Sequence, residues 1–320
     1  MTSPLVLGPI LPGDWPTSPT DPSYAGYTAA IRRAALDLVA SVSASASDGG
    51  DVFERGKVFN ESHGCKTETY SAPSSRVKAG GDTQGYKWHV RASRHRDVAY
   101  DDFKRGLLEN HSVNERDYIE DCEKAEKLQV IKPGEMESKS SLSLSLPTSH
   151  GSNLSCRNET VWRMLYHQAF PASNRSFTFL IYTAELSPED TATAGGTANS
   201  ERSFLVVSIP VAHPDAPPEK GYVRGRYVSV EFCRELATSG AVDRCVEWIM
   251  AVSSDPGGMV PKMVSDRVMA SKISEDVPSF LKWIESRPAA AQTATTAATA
   301  SSRDGDNPPT LPQIERSEGL

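Results

Sequence analysis

The sequence predicts an α+β fold: a curved antiparallel sheet closed by one long C-terminal helix, with additional helices nearer the N-terminus. Three observations carry this expectation. Five segments between Val161 and Val252 are rich in β-branched and aromatic residues. The polar, Gly or Pro breaks between them (187–199, 213–220 and 238–241) are short enough to favour antiparallel neighbours over helical crossovers. The stretch 250–261, MAVSSDPGGMVP, runs from a strand through a tight Asp-Pro-Gly-Gly turn directly into a helical pattern, which suggests a cup closed by a helix.

The elements follow in order. Residues 1–23 are Pro-rich and are expected to form a flexible N-terminus. Residues 25–41 read as a helix, with Tyr27, Ile31, Ala35 and Leu38 on one stripe. The Ser/Ala/Gly run 43–51 reads as a linker, and 65–71 and 86–93 as strands. Residues 97–127 form a helical region broken near 111–114, with Phe103, Leu107 and Leu108 on one stripe and Tyr118 and Ile119 on a second. A short strand is predicted at 128–131 and a low-complexity insertion at 139–155, KSSLSLSLPTSHGSNLS. Strands follow at 161–167, 176–186, 203–211, 221–232 and 245–252. Residues 259–286 are helical, and Pro278 either kinks that helix or opens a second segment near Ser274. Ala, Thr, Ser and Pro dominate the remainder, so 288–320 is expected to be a disordered tail beyond a single domain at 24–287.

Bulk composition excludes several classes. Net charge is −7, and a chain this acidic should not favour a polyanion without a concentrated basic patch, which argues against nucleic acid as a partner. The segment 96–127 carries ten acids against six bases and reads as a solvated helical face. Five cysteines at wide, irregular spacings without a CxxC argue against a disulfide framework or zinc site. The seven histidines form no HxxxH or HExxH, and no G-x-S-x-G occurs, so neither metal nor cofactor is expected and no catalytic residue is assigned. The first residues lack a basic n-region and are interrupted by Pro4, Pro9 and Pro12, and no run of about 18 apolar residues exists. The expected location is the cytoplasm, and the N-x-S/T sequons read as chance.

Particular words then narrow the fold. FLVVSIPV (204–211), YVRGRYVSVE (222–231), VEWIMAVSSDPGGMVP (246–261) and EDVPSFLKW (275–283), with YKWHVRASRH (86–95) upstream, resemble a fungal family of START-like domains of unknown function within the helix-grip superfamily. START relatives hold one lipid in a tunnel between the curved sheet and the C-terminal helix. The resemblance therefore implies such a cavity here without supplying its ligand.

The residues supply a physical basis for the same expectation. Strand 203–211 is apolar on both parities, so its sheet needs cover on both faces. The C-terminal helix can cover one face, and the helices at 25–41 and 97–127 the other. Parity selects Phe179, Ile181, Val206, Val228, Trp248 and Met250 on strands, with Met263, Val264 and Phe280 on the helix, as the ligand-binding wall. Arg224 or Glu231 would orient a polar end; the competing reading is an ordinary cross-strand pair facing solvent. Trp248 and Trp283 read as core anchors. Arg91, Arg94, Arg96 and His95 form a basic cluster that either touches lipid headgroups in a transient membrane contact or balances the acidic segment after it. Binding of a lipid or other hydrophobic small molecule is the leading function. The alternatives are a filled protein-interaction module and a polyketide cyclase-like enzyme with Glu231, Glu247 or a Tyr as acid or base.

Overall fold

A computed structural model describes residues 3–48, 52–60, 65–132, 157–168, 173–195, 200–237 and 244–287. The insertion at 139–155 and the tail at 288–320 lie outside these residues. Among the described residues ten strands form one sheet; nine run in the order β1-β2-β3-β10-β9-β7-β6-β5-β4 with neighbours antiparallel, and β8 pairs in parallel with β6 off this path. They are β1 (Glu54–Asn60), β2 (Lys66–Ala72), β3 (Trp88–His95), β4 (Cys122–Lys132), β5 (Arg157–Tyr166), β6 (Asn174–Glu185), β7 (Ser200–Pro210), β8 (Tyr222–Arg224), β9 (Arg226–Ala237) and β10 (Arg244–Asp255). The helices are α1 (Tyr24–Asp48), α2 (Tyr100–Phe103) continuing into a π-helical turn at Lys104–Leu108, α3 (His111–Tyr118), α4 (Pro188–Thr193) and α5 (Lys262–Ser286).

Cover is required on both faces, and both faces are covered, but not by the expected helices. One core lies between the sheet and α1, where Ile31, Leu38 and Val39 meet Leu205, Val230, Phe232 and Ile249. The other lies between the sheet and α5, and α2, the π turn and α3 belong to it: Phe103, Leu107 and Tyr118 pack with Trp248, Val277 and Phe280. The helices after β3 thus share the gripping side with α5 instead of joining α1. The N-terminal arm closes the first core. Leu5 and Leu7 are fully buried, Leu7 N–H donates to the Asp82 carbonyl, and Ile10 bridges Val211 in parallel. Residues 3–23 therefore pack on the domain where a flexible segment was expected, because their few apolar side chains complete the α1 side.

Other boundaries move for identifiable reasons. Helix α1 continues to Asp48 through the expected linker, with Val42 and Ser45 buried and Ser45 Oγ donating to the Ser41 carbonyl. The helical region ends at Tyr118, and Cys122–Lys132 is the edge strand β4, not helix. Its charged residues suit an edge, where one row of backbone groups faces water, and Glu126 pairs with Arg163 on β5. Strand β1, also charged and at the opposite edge, was absent from the sequence reading. The single strand expected at 221–232 is two. At Gly225 an added Cβ would lie 2.4 Å from Phe177 Cε1, so the chain passes tightly over that ring, and β8 pairs in parallel with the start of β6. Helix α5 is one helix that contains Pro278.

Candidate functional site

Strand alternation decides which side chains face α5. On β10 these are Val246, Trp248, Met250 and Val252; on β9, Tyr227, Ser229, Glu231 and Cys233; on β3, His89, Arg91, Ser93 and His95. Helix α5 meets them unevenly. Its C-terminal half is packed solid. Phe280 is fully buried, with ring centroids 5.2 Å from Phe103, 5.1 Å from Trp248 and 5.4 Å from Tyr118. Its N-terminal half is not: Met263, Val264 and Val268 are exposed, as is Met259 just before it. Beneath that half lies a pocket of about 680 Å3, lined by Ser208, Ser229, Met250 and Val252 from the sheet, Val264, Val268 and Ile273 from α5, and Tyr166, Phe177 and Tyr227 at its side. The roof is anchored by an apolar core at its C-terminal end; its N-terminal half is tied down by polar contacts, Asp266 to His89 at 3.2 Å and Lys262 to the Gln84 carbonyl at 2.8 Å, and stands off the sheet over the pocket beside them.

The pocket has a polar floor. The Arg91 guanidinium carbon lies 3.7 Å from the centre of the Trp248 ring. Arg91 approaches Glu231 at 3.9 Å, and Trp248 Nε1–H donates to Glu231 Oε2 at 2.9 Å. At the other end of the floor Tyr166 O–H donates to Glu115 Oε1 at 2.7 Å, and His111 lies 3.6 Å from the same carboxylate. Desolvation raises the pKa of Glu115, opposed by His111 and Tyr166. Desolvation also lifts Asp276 on α5 to about 7, against the pull of Arg91. His95 is driven down to about 4 by burial and then by Arg91. Burial lifts the Cys233 thiol well above its ordinary value, so it is an inert core residue.

Among the predicted wall residues, Glu231, Met250 and Val264 line the pocket. Phe179, Ile181, Val206, Trp248 and Phe280 belong to the solid core beside it. Val228 faces the opposite core, against α1. Arg224 sits on β8 and donates to Thr178 Oγ1 and to the carbonyls of Ala216 and Pro217, away from the pocket. Met263 is 68% exposed and points outward. Glu247 lies on the α1 side, held by Arg94 at 2.9 Å and Arg234 at 2.6 Å. The basic cluster is divided by strand parity: Arg91 is buried under α5, while Arg94 reaches across to Glu247 and Arg96 is exposed.

Sequence reasoning passed over Glu115, Tyr118, Tyr166, Tyr227 and Asp276. Asp276 had a signal, since it stands four residues before Phe280 and three after Ile273 on the inward stripe of α5. Among the described residues no three His, Cys, Asp or Glu are placed to hold a metal, and no helix is long and apolar enough to cross a membrane. Two other pockets exist. One of about 400 Å3 surrounds Cys65, His95 and Arg96, and one of about 740 Å3 lies between α1 and Arg234. The second is larger than the pocket under α5 but lies on the opposite, α1 side of the sheet, beside Ser43, Arg234 and Glu247.

A large antiparallel sheet gripped along one face by a C-terminal helix is a START-like, helix-grip fold. Within that class the chain belongs to the family described as a protein of unknown function, DUF3074, which matches residues 88–284. A relative in Schizosaccharomyces pombe, the uncharacterized protein C577.11, is 25% identical over 201 residues, covering 62% of this chain and 69% of the relative. The solved structure of human StAR-related lipid transfer protein 5 is 13% identical, with a TM-score of 0.51, covering 82% of this chain and 98% of that one. Human STARD10 is 13% identical with a TM-score of 0.47, over 79% and 81%.

Proposed function

We propose that this protein binds one hydrophobic or amphiphilic molecule in the pocket between the sheet and the N-terminal half of α5. The single observation that carries the reading is the stand-off of that half-helix over a space of about 680 Å3, inside the roughly 300–1,000 Å3 range of small-molecule sites. A lipid-transfer protein among the fold's structural neighbours supports the same reading. Burying acyl methylenes yields about 0.8 kcal/mol each, so a ten-carbon stretch supplies about 8 kcal/mol before ordering costs. The interior polar groups then orient a head while the apolar part lies along Met250, Val252 and Val264.

The test is extraction. Full-length protein is incubated with vesicles of mixed membrane lipids, re-isolated, and its organic extract quantified by mass spectrometry. The reading predicts about one amphiphile per chain. Protein that returns with no lipid from such vesicles overturns it.

A further inference from the structure

The charges that face the pocket do not balance. Glu115, Glu231 and Asp276 face it from three different elements, α3, β9 and α5. Of the two arginines that line it, Arg91 is already engaged by Glu231 and by the Trp248 face. At the rim Lys272 is held by Glu275 at 3.2 Å and Asp121 at 3.8 Å, and Arg175 donates to the carbonyls of Ser173 and Asn174. Acids therefore outnumber the cations around the pocket. Aromatic rings stand in the same wall: Phe177 lies edge-on to Tyr166 at 5.5 Å and 5.2 Å from Tyr227.

Resting on the ligand-binding reading above, we infer that the ligand is an amphiphile with a cationic end, a primary or quaternary ammonium group, and that anionic amphiphiles such as fatty acids are excluded. An ammonium group placed among Glu115, Glu231 and Asp276 supplies positive charge that Arg91 alone does not match, and the rings of Tyr166, Tyr118 and Tyr227 that line the pocket attract it further. A carboxylate head in the same place adds a like charge to a desolvated acidic site, where repulsion is strongest. The acids respond to either guest. Burial holds Glu115 and Asp276 toward their neutral forms; a cation restores their charge, whereas an anion suppresses it further.

The experiment compares four probes of one chain length, dodecylamine, dodecyltrimethylammonium, dodecanol and dodecanoate, with the full-length protein. Binding is measured by isothermal titration below each probe's micelle threshold, near neutral pH. The two cations are expected to bind at least about tenfold more tightly than dodecanoate, about 1.4 kcal/mol. Asp276→Asn and Glu115→Gln are each expected to reduce that ratio several-fold, with dodecanol as the uncharged reference. Dodecanoate binding as tightly as the cations overturns the inference and leaves the ligand-binding reading standing, as does a ratio unmoved in both variants. Failure of all four probes to bind overturns both.

Discussion

Arg91 sits over Trp248, its guanidinium carbon 3.7 Å from the ring centre, and both residues are only 1% exposed. The pair spans two neighbouring strands beneath α5, with Met250 directly opposite Arg91 in register. Trp248 completes the unit by donating to Glu231. A buried arginine is tolerable when its charge is met by a carboxylate and a ring face together, and removing it strands Glu231. Arg91→Leu is expected to lower unfolding free energy by about 3 kcal/mol in urea titrations. Adding Glu231→Gln recovers part of that loss, because the stranded charge goes with it. Additive losses in the double variant contradict this coupling.

Gly106 and Phe280 fix the anchored end of the roof. A Cβ at Gly106 would lie 2.4 Å from Phe280 Cε2, so the π-helical turn approaches the ring as closely as a glycine permits. Phe280→Ala is expected to cost about 3–5 kcal/mol, and Gly106→Ala about 1–3 kcal/mol by overpacking. Both should speed proteolytic release of α5, read by limited proteolysis at matched fractions folded.

Asp276 links stability to pH. Its folded pKa near 7 lies above the ordinary carboxyl value of 3.8. The folded state therefore holds a proton that the unfolded state has released, and stability falls as pH rises from about 4 to about 7. The charged groups facing Asp276 are Arg91 on β3, Glu115 on α3, Glu231 on β9, and Lys272 and Glu275 on its own helix. Asp276→Asn is expected to raise the melting temperature by about 2 °C or more near pH 8 and to change it little near pH 4. His95 acts in the opposite sense. Its folded pKa of about 4 is depressed, so the stability it contributes is lost as pH falls from about 6.5 toward 4.

The joint between β10 and α5 is a backbone requirement. Gly257 has φ +69°, and an added Cβ would fall 2.3 Å from the Arg224 carbonyl oxygen. Asp255 holds the turn by accepting from Gly257 N–H at 2.9 Å and from Tyr86 O–H at 2.8 Å. Gly257→Ala is expected to cost about 2 kcal/mol or more, read by chemical unfolding, since both the left-handed φ and the close approach oppose a side chain.

The sheet was legible where apolar strands alternate or run continuously, as in β6, β7 and β10, and the Asp-Pro-Gly-Gly turn announced α5. Of the edge strands, β4 was legible only at 128–131, because the charged residues before it resemble a solvated helix, and β1 was not legible, because its pairing depends on distant partners. The wall was partly legible. Glu231 and Met250 follow from strand parity, but β9 is apolar on both faces, with Val228 and Val230 against Tyr227 and Cys233, so parity alone could not assign Val228. Arg224 went astray because Gly225 interrupts the strand. Glu115 and Tyr166 meet only in three dimensions, and no local pattern marks that contact.

The most direct test fills the space beneath the free half of α5. Ser229 lines the pocket and is 4% exposed, so Ser229→Trp places an indole inside it. Native mass spectrometry of both proteins after vesicle incubation is predicted to show one bound amphiphile on the unsubstituted chain and none on the variant, with melting temperature retained. Equal occupancy of the plugged variant would place the ligand elsewhere and contradict the account.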